Sequence, residues 1–97
     1  MSPRLLRIEL SDESFIDRSI EQISPDRWRP HGVRYRFAWI QKGKCRVLFD
    51  NHHGKEDHCH IDGIEISYQF TTTEKLFDDF LAAIKKLGGP IDESKEI

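Results

Sequence analysis

The side chains that could do chemistry in this sequence crowd into the eleven residues from Asp50 to His60. Four of the five histidines of the 97-residue chain lie there, together with acidic, amide and amine groups. A polar loop between two strands is the ordinary explanation of such a segment, since loops are polar even where they do nothing. The alternative is a reactive site, whose candidate members are Asp50, Asn51, His52, His53, Lys55, Asp57, His58 and His60.

His58 and His60 are the pair in this segment that most suggests catalysis. If residues 57–60 are extended, the two imidazoles share one face, while Asp57 and Cys59 point to the other. Histidine titrates near neutral pH, so one ring could accept the proton of a ribose 2′-hydroxyl while the other protonates the leaving 5′-oxygen. The hypothesis is therefore cleavage of RNA without a metal or any other cofactor.

Charged neighbours of the pair have supporting roles in this hypothesis. Cleavage builds negative charge on phosphate oxygens, which Lys55, with Arg34 or Arg36 from the adjacent hairpin, would meet with positive charge. Asp57 or Asp50 would orient a histidine by accepting the proton of its second ring nitrogen. The predicted catalytic residues are His58, His60, Lys55 and Asp57. The predicted substrate-binding residues are Arg36, Asp50, Asn51 and Tyr68.

Tyr68 and Trp28 are aromatic residues that could contact a ligand or a partner protein instead of packing in the core. Tyr68 lies on an apolar stripe that favours the core, but it could also stack on a base or donate a hydrogen bond. Trp28 lies among arginines and prolines, where an indole can anchor a partner protein. A non-catalytic partner-binding domain is thus a rival to the enzyme hypothesis.

Metal binding is a second rival chemistry. Imidazole, carboxylate and thiolate groups all ligate metals, and His58-Cys59-His60 can present two nitrogens to one ion. The sequence has no Cys-x-x-Cys, no His-Glu-x-x-His and no calcium loop, so no metal ligands are predicted, although a metal-dependent phosphodiesterase stays open as an alternative. Cys59 is a poor candidate nucleophile, because its neighbouring histidines would face away from it in a strand.

Composition limits the class of protein. Fifteen Lys and Arg residues against 17 Asp and Glu give a net charge of −2, so any phosphate binding must be local. No apolar run reaches the roughly 18 residues of a membrane span, and no signal core begins the chain, which predicts a cytoplasmic protein without membrane contact. Residues 1–90 are predicted to form one domain and residues 91–97 a disordered charged tail. A core this small is often completed by another chain, which is compatible with a homodimer or a heterocomplex.

Most of the chain has the period-2 pattern of strands. Residues 33–49 alternate apolar and polar side chains on both sides of Lys42-Gly43, which predicts an antiparallel hairpin. Residues 64–70 form the clearest amphipathic strand and should return beside that hairpin. Residues 6–10 also suit a strand, whereas residues 15–23 fit a strand or a helix equally well.

A helix follows the last of these strands. Thr71 and Glu74 have the spacing of a capping box, and apolar residues then recur at helical spacing as far as Leu87. The sequence Gly88-Gly89-Pro90 would end the helix. The predicted fold is α+β, a curved antiparallel sheet of about five strands with the C-terminal amphipathic helix packed on its apolar face.

One longer string connects these segments to a known family. It begins with Tyr35-Arg36-Phe37-Ala38, continues after the hairpin with Asp50-Asn51-x-x-x-Lys55-x-Asp57-His58-x-His60, and ends with Tyr68-x-Phe70 before the helix. Over roughly Arg4 to Leu87 the chain resembles the TumE-type toxins of prokaryotic toxin-antitoxin operons. The resemblance implies a type II toxin that acts on RNA and is neutralised by a helix-turn-helix antitoxin, and it favours a strand at residues 15–23. The residues it carries over are Asp50, Asn51, Lys55, Asp57, His58 and His60, with Tyr68 as a weaker member.

Overall fold

The computed structural model describes residues 4–52 and 56–91. Within them, six strands form one antiparallel sheet, and a single helix follows. The strands lie side by side in chain order, so each pairs with its neighbours in sequence. The elements are β1 (Arg4–Glu9), β2 (Phe15–Gln22), β3 (Val33–Gln41), β4 (Lys44–Asp50), β5 (His58–Ile61), β6 (Ile64–Ser67) and α1 (Thr73–Lys86). The predicted α+β fold is confirmed, with six strands rather than about five.

Two tight turns account for the hairpins and for the extra strand. At Lys42-Gly43 both residues have positive φ, 51° and 76°, which is the geometry that matches the twist of paired strands. The predicted hairpin of β3 and β4 is therefore confirmed. Asp62-Gly63 repeats this geometry with φ of 54° and 86°. This second turn separates β5 from β6, and it creates the sixth strand.

The segment whose local pattern fitted both helix and strand is β2. It pairs with β1 on one side and with β3 on the other. A strand that is paired on both sides satisfies its backbone donors and acceptors without helical bonds. The neighbours in the sheet therefore decide a conformation that the local sequence leaves open.

The hydrophobic core lies between one face of the sheet and α1. Directly paired residues share a face, so Phe37 lies beside Phe49 and Ile16 lies beside Trp39. The helix contributes its own buried side chains to this core, namely Leu76, Phe80, Ala83 and Ile84. No other described helix or strand covers the opposite face of the sheet, which we call the open face.

The helix begins one residue later than the capping pattern predicted. Its N-cap is Thr72, not Thr71, and the Thr72 hydroxyl accepts a hydrogen bond from the backbone N–H of Lys75 at 3.1 Å. The third helical position is therefore a lysine, which cannot return the second bond of a capping box. At the other end Gly88 adopts φ of 85°, a left-handed conformation that glycine tolerates and that ends helices, as predicted.

Among residues 4–52 and 56–91, no helix combines the length and the apolar character needed to cross a membrane. The single domain over residues 1–90 stays a prediction. The predicted tail lies outside the described residues, apart from Ile91.

Candidate active site

The register of the sheet brings three of the predicted site residues into one row on the open face. Arg36 on β3 is paired with Asp50 on β4, and Asp50 is paired with His58 on β5. His60 follows two residues later on the same side of β5, with its ring centroid 5.3 Å from that of His58. We call Arg36, Asp50, His58 and His60 the histidine-pair site.

Both ring nitrogens of His58 face oxygen acceptors. Nδ1 lies 2.9 Å from the backbone carbonyl oxygen of Glu56, which can only accept, so Nδ1 carries a hydrogen. Nε2 lies 3.3 Å from Oδ1 of Asp50, and the His58 side chain is only 12% exposed. The Glu56 carbonyl and the Asp50 carboxylate thus hold the His58 ring in one orientation.

His60 is the more accessible ring of the pair. Its side chain is 36% exposed, and its Nε2 lies 3.2 Å from Oε1 of Glu65. The two residues are directly paired across β5 and β6. Glu65 was not among the predicted site residues, because its position opposite His60 depends on the Asp62-Gly63 turn. An Asp-Gly pair is a strong hairpin signal, and it is the feature of the sequence that could have located Glu65.

Arg36 is the cation of the open face that is available for an anionic ligand. It is exposed, and within the described ranges it makes no hydrogen bond or ion pair. The neighbouring arginines on this face are instead paired with carboxylates. Arg34 is paired with Glu21, and Arg7 donates to both carboxylate oxygens of Asp17 at 2.7 and 2.9 Å. Of the two predicted phosphate contacts, Arg36 therefore fits better than Arg34.

Asp57 lies on the helix side of the sheet and has a different partner from the one predicted. Its carboxylate accepts hydrogen bonds from the Tyr35 hydroxyl at 2.9 Å, from Asn51 Nδ2 at 3.1 Å and from a ring nitrogen of His31 at 3.1 Å. The histidine beside Asp57 is thus His31, not His58 or His60. Asp50 takes the corresponding position beside His58. We call His31, Tyr35, Asn51 and Asp57 the Asp57 network.

His31 is the member of this network that sequence reasoning missed. The backbone N–H of Val33 donates to His31 Nδ1 at 3.2 Å, so Nδ1 is the acceptor and Nε2 carries the hydrogen that Asp57 receives. The ring also packs on Phe70, with centroids 4.2 Å apart. His31 precedes Asp57 by 26 residues, and no spacing signal connects the two. The only available hint was a single histidine in the turn-rich connection before β3.

Asn51 is a scaffold residue rather than a substrate contact. Its side chain is fully buried, at 0% exposure. Oδ1 accepts from the Tyr35 backbone N–H at 3.1 Å, and Nδ2 donates to the Val33 carbonyl at 2.9 Å and to Asp57. Because every polar atom of the amide is used and none reaches the surface, the predicted substrate-binding role does not fit this position.

Tyr68 also lies on the helix side, away from the histidine pair. Its ring packs edge-on against Phe49, with centroids 5.0 Å apart, and its hydroxyl donates to Asp79 on α1 at 2.6 Å. Burial, followed by the Asp79 carboxylate, raises the pKa of Tyr68 above its ordinary value, so the hydroxyl remains a donor. The structure thus places Tyr68 in the contact between sheet and helix, not in a base-binding position.

We expect Tyr68→Phe to lower the free energy of unfolding by about 1 to 2 kcal/mol, because a hydrogen bond to a carboxylate is lost. Partial burial tends to raise the pKa of Asp79, but hydrogen bonds from Tyr68 and Lys75 outweigh it and lower the pKa. A lowered carboxyl pKa stabilises the fold above the ordinary value near 3.9 and loses this effect as the pH falls further. Urea titrations at several pH values should therefore show the difference from wild type shrinking below about pH 4. A variant with unchanged stability but impaired RNA binding would restore the substrate role.

The two thiols are unsuited to nucleophilic chemistry. Burial raises the pKa of Cys59, which lies in the core at 3% exposure, and burial also raises the pKa of Cys45. A protonated thiol is a weak nucleophile. Of the remaining candidates, Lys55 and His53 lie outside the described residues, and His52 has an interaction within the chain.

The family of this chain is shown by a match to a known family model. A family model described as Toxin TumE matches residues 2–87, which is most of the 97-residue chain. The chain belongs to the TumE toxin family. The match covers both the histidine-pair site and the Asp57 network, and membership gives this TumE-family chain a toxin role and implies an antitoxin partner. No curated protein and no solved structure gives a significant match.

Proposed function

We propose that this TumE-family chain is the RNA-cleaving toxin of a type II toxin-antitoxin system, with His58 and His60 as its proton-transfer groups. The observation that supports this most directly is the placement of two imidazole rings 5.3 Å apart on an open sheet face. In the same row, Arg36 is exposed and free of described ion pairs. A polyanionic substrate can reach both features from one side.

His58 is the general acid in this proposal. Its two ring nitrogens face the Glu56 carbonyl and the Asp50 carboxylate. A carboxylate beside an imidazole fixes the orientation of the ring. An acid that is held in one orientation can protonate the 5′-oxygen as it leaves.

His60 is the general base. Its Nε2 faces Glu65, so a hydrogen on that nitrogen leaves Nδ1 as the basic atom of the neutral ring. The greater exposure of this side chain, 36%, allows a ribose hydroxyl to approach it. The two rings therefore have different partners, Asp50 for His58 and Glu65 for His60, and different roles in the proposal.

In the proposed cleavage step, histidines alone transfer the protons, and no metal ion is needed. His60 takes the proton of the ribose 2′-hydroxyl as the 2′-oxygen forms a bond to phosphorus, and the bond from phosphorus to the 5′-oxygen breaks. His58 supplies the proton to that oxygen. The products are an RNA end with a 2′,3′-cyclic phosphate and an RNA end with a 5′-hydroxyl. Arg36, together with Lys55, meets the charge that develops on the phosphate oxygens.

Purified toxin incubated with RNA in excess chelator tests this chemistry. We expect cleavage products that carry 2′,3′-cyclic phosphates, identified by mass spectrometry. An oligonucleotide with a single 2′-deoxy position should resist cleavage at that position only, since the attacking hydroxyl is missing there. Cleavage of the deoxy position, or intact RNA in all reactions, would contradict the proposal.

Arg36→Ala should weaken RNA binding about tenfold, because one charged phosphate contact is lost. The slope of log affinity against log salt should decrease by about 0.7, the value for one contact with a single strand. Arg27→Ala is the matched control, since Arg27 is also exposed but stacks on Trp28 at 5.1 Å in the connection before β3. Fluorescence anisotropy with an uncleavable 2′-deoxy oligonucleotide measures both quantities. Equal effects of the two variants would remove Arg36 from the phosphate site.

The partner in this proposal is a helix-turn-helix antitoxin, and toxin, antitoxin and RNA meet in the cytoplasm. Trp28 favours the rival view that the chain acts by docking, because it is 37% exposed despite its size. Expression in cells separates the two views. Growth arrest that is relieved by His58→Ala supports the enzyme, whereas arrest that is relieved by Trp28→Ala supports docking.

A further inference from the structure

We infer that His58, His60 and Glu65 bind one divalent transition-metal ion of the zinc class, and that the bound ion silences the histidine pair. The binding half of this inference stands on the geometry of the three side chains. The silencing half rests on the proposed function, because it requires that the same imidazoles transfer protons.

The three side chains already lie close to coordination distance. Their ligand atoms all lie within 4.8 Å of one another. His60 Nε2 and Glu65 Oε1 are 3.2 Å apart. Two ligands bound to one zinc ion at bond lengths of about 2.0 to 2.1 Å and a tetrahedral angle are separated by about 3.3 Å. The His60–Glu65 pair therefore needs almost no movement, and His58 needs a shift of at most roughly 1.5 Å to complete the set.

The backbone holds these ligands in a fixed frame. His58 and His60 are two residues apart on β5, and Glu65 is the direct partner of His60 on β6. The turn at Asp62-Gly63, whose two positive φ angles match the strand twist, sets this register. A site built on paired strands requires little ordering of the chain when the ion binds.

His58 has the outer contact that a metal-ligating histidine usually needs. Its Nδ1–H donates to the carbonyl oxygen of Glu56 at 2.9 Å, which leaves the Nε2 lone pair of the neutral ring as the metal ligand. The Asp50 carboxylate lies 3.3 Å from that Nε2. With Glu65 it provides two negative charges near a doubly charged ion.

The donor set selects the class of ion. Two imidazole nitrogens with one carboxylate oxygen suit zinc and its neighbours cobalt, nickel and copper, whereas magnesium and calcium prefer sites made wholly of oxygen. Cys59 lies between the two histidines but faces the core, so no thiolate joins the set. Three protein ligands leave a position for water or a substrate oxygen.

An ion bound here would suppress the proposed cleavage. When His60 binds the metal through Nε2, its neutral ring carries the hydrogen on Nδ1, which can then no longer accept the proton of a 2′-hydroxyl. A His58 nitrogen that is bound to the metal cannot carry the proton for the leaving oxygen. Zinc is thus an inhibitor in this inference, and its removal restores the histidine pair.

Cobalt provides a readout of binding that is independent of RNA cleavage. The full-length chain, stripped with chelator and dialysed, is titrated with Co²⁺ and followed by its visible absorption, and Zn²⁺ affinity is then measured by competition. We expect one equivalent to bind. Glu65→Gln should weaken zinc binding by at least the roughly 10- to 100-fold that loss of an outer partner costs. Glu74→Gln, an exposed change of the same kind on α1, should bind as wild type does.

Two results would overturn the inference. Absent binding, or equal binding by wild type and Glu65→Gln, would remove the site. Cleavage that increases when zinc is added would remove the silencing role, whereas inhibition that is relieved by chelator and weakened in Glu65→Gln supports it. If the stripped protein does not cleave RNA at all, the proposed function fails, and the cobalt titration still decides whether the site exists.

Discussion

Replacing His58 with alanine is expected to lower the rate of RNA cleavage by about 10²- to 10⁴-fold, the range that general acid catalysis contributes. The variant removes the group that protonates the leaving oxygen in the proposed mechanism, and it leaves Asp50 without its partner at 3.3 Å. His58→Gln, which retains a hydrogen-bonding amide but cannot transfer a proton at neutral pH, should lose as much activity. Single-turnover cleavage of a fluorescent RNA measures this effect.

The matched control for His58→Ala is His52→Ala, which removes a histidine of the same segment that is not part of the pair. Circular dichroism and thermal melting on each variant separate a loss of chemistry from a loss of fold. Cleavage within threefold of wild type by folded His58→Ala and His58→Gln would exclude His58 as the acid. The same loss in the His52 variant would mean that the assay reports damage to the segment rather than proton transfer.

Asn51→Ala should be the most destabilising change among the predicted site residues. The fully buried amide is the hydrogen-bond partner of the Tyr35 N–H, the Val33 carbonyl and the Asp57 carboxylate. Each buried polar group left without a partner costs about 1 to 3 kcal/mol, so we expect a loss of about 3 to 5 kcal/mol in the free energy of unfolding. A chain of this size has about 5 to 15 kcal/mol in total.

Urea unfolding at neutral pH, followed by fluorescence, measures that loss, and the melting temperature should fall by about 10 °C or more. Gln69→Ala is the control, since it removes an exposed amide close to the same sheet. If Asn51→Ala melts within about 2 °C of wild type, the buried amide is not a structural support.

The histidine-pair site and the Asp57 network lie on opposite faces of the sheet, but some of their members are adjacent along the chain. Asp50 faces the histidine pair while Asn51 faces the Asp57 network, and Asp57 directly precedes His58. Residues at successive strand positions point to opposite faces. The Asp57 network therefore holds the start of β5 on the helix side of the sheet, and the two imidazole rings lie on the open face.

The Tyr35 hydroxyl is a hydrogen-bond donor in the Asp57 network. Burial, together with the nearby Asp57 carboxylate, raises the pKa of Tyr35 far above its ordinary value. The hydroxyl therefore stays protonated and donates to Asp57 at 2.9 Å.

Local periodicity was enough to predict part of this protein. Alternation at His58, Cys59 and His60 predicted two rings on one face and the Cys59 side chain on the other, as found, because side chains of a strand alternate whatever its neighbours are. The hairpin at Lys42-Gly43 and the end of α1 at Gly88 followed equally directly, since left-handed backbone conformations favour glycine.

Tertiary structure decided which side chains meet across distance. Asp57 binds His31 rather than a neighbouring histidine because Asp57 alternates to the helix side, where the turn before β3 brings His31 within 3.1 Å. Asn51 looked like a loop residue, yet pairing of the end of β4 with Tyr35 buries it completely. The sequence by itself therefore determined the fold class and the shared face of the histidine pair, through local rules of alternation and turn geometry. Only the packed sheet decided that His31 faces Asp57 and that His58 faces Asp50, because the separations of these residues along the chain match no sequence motif.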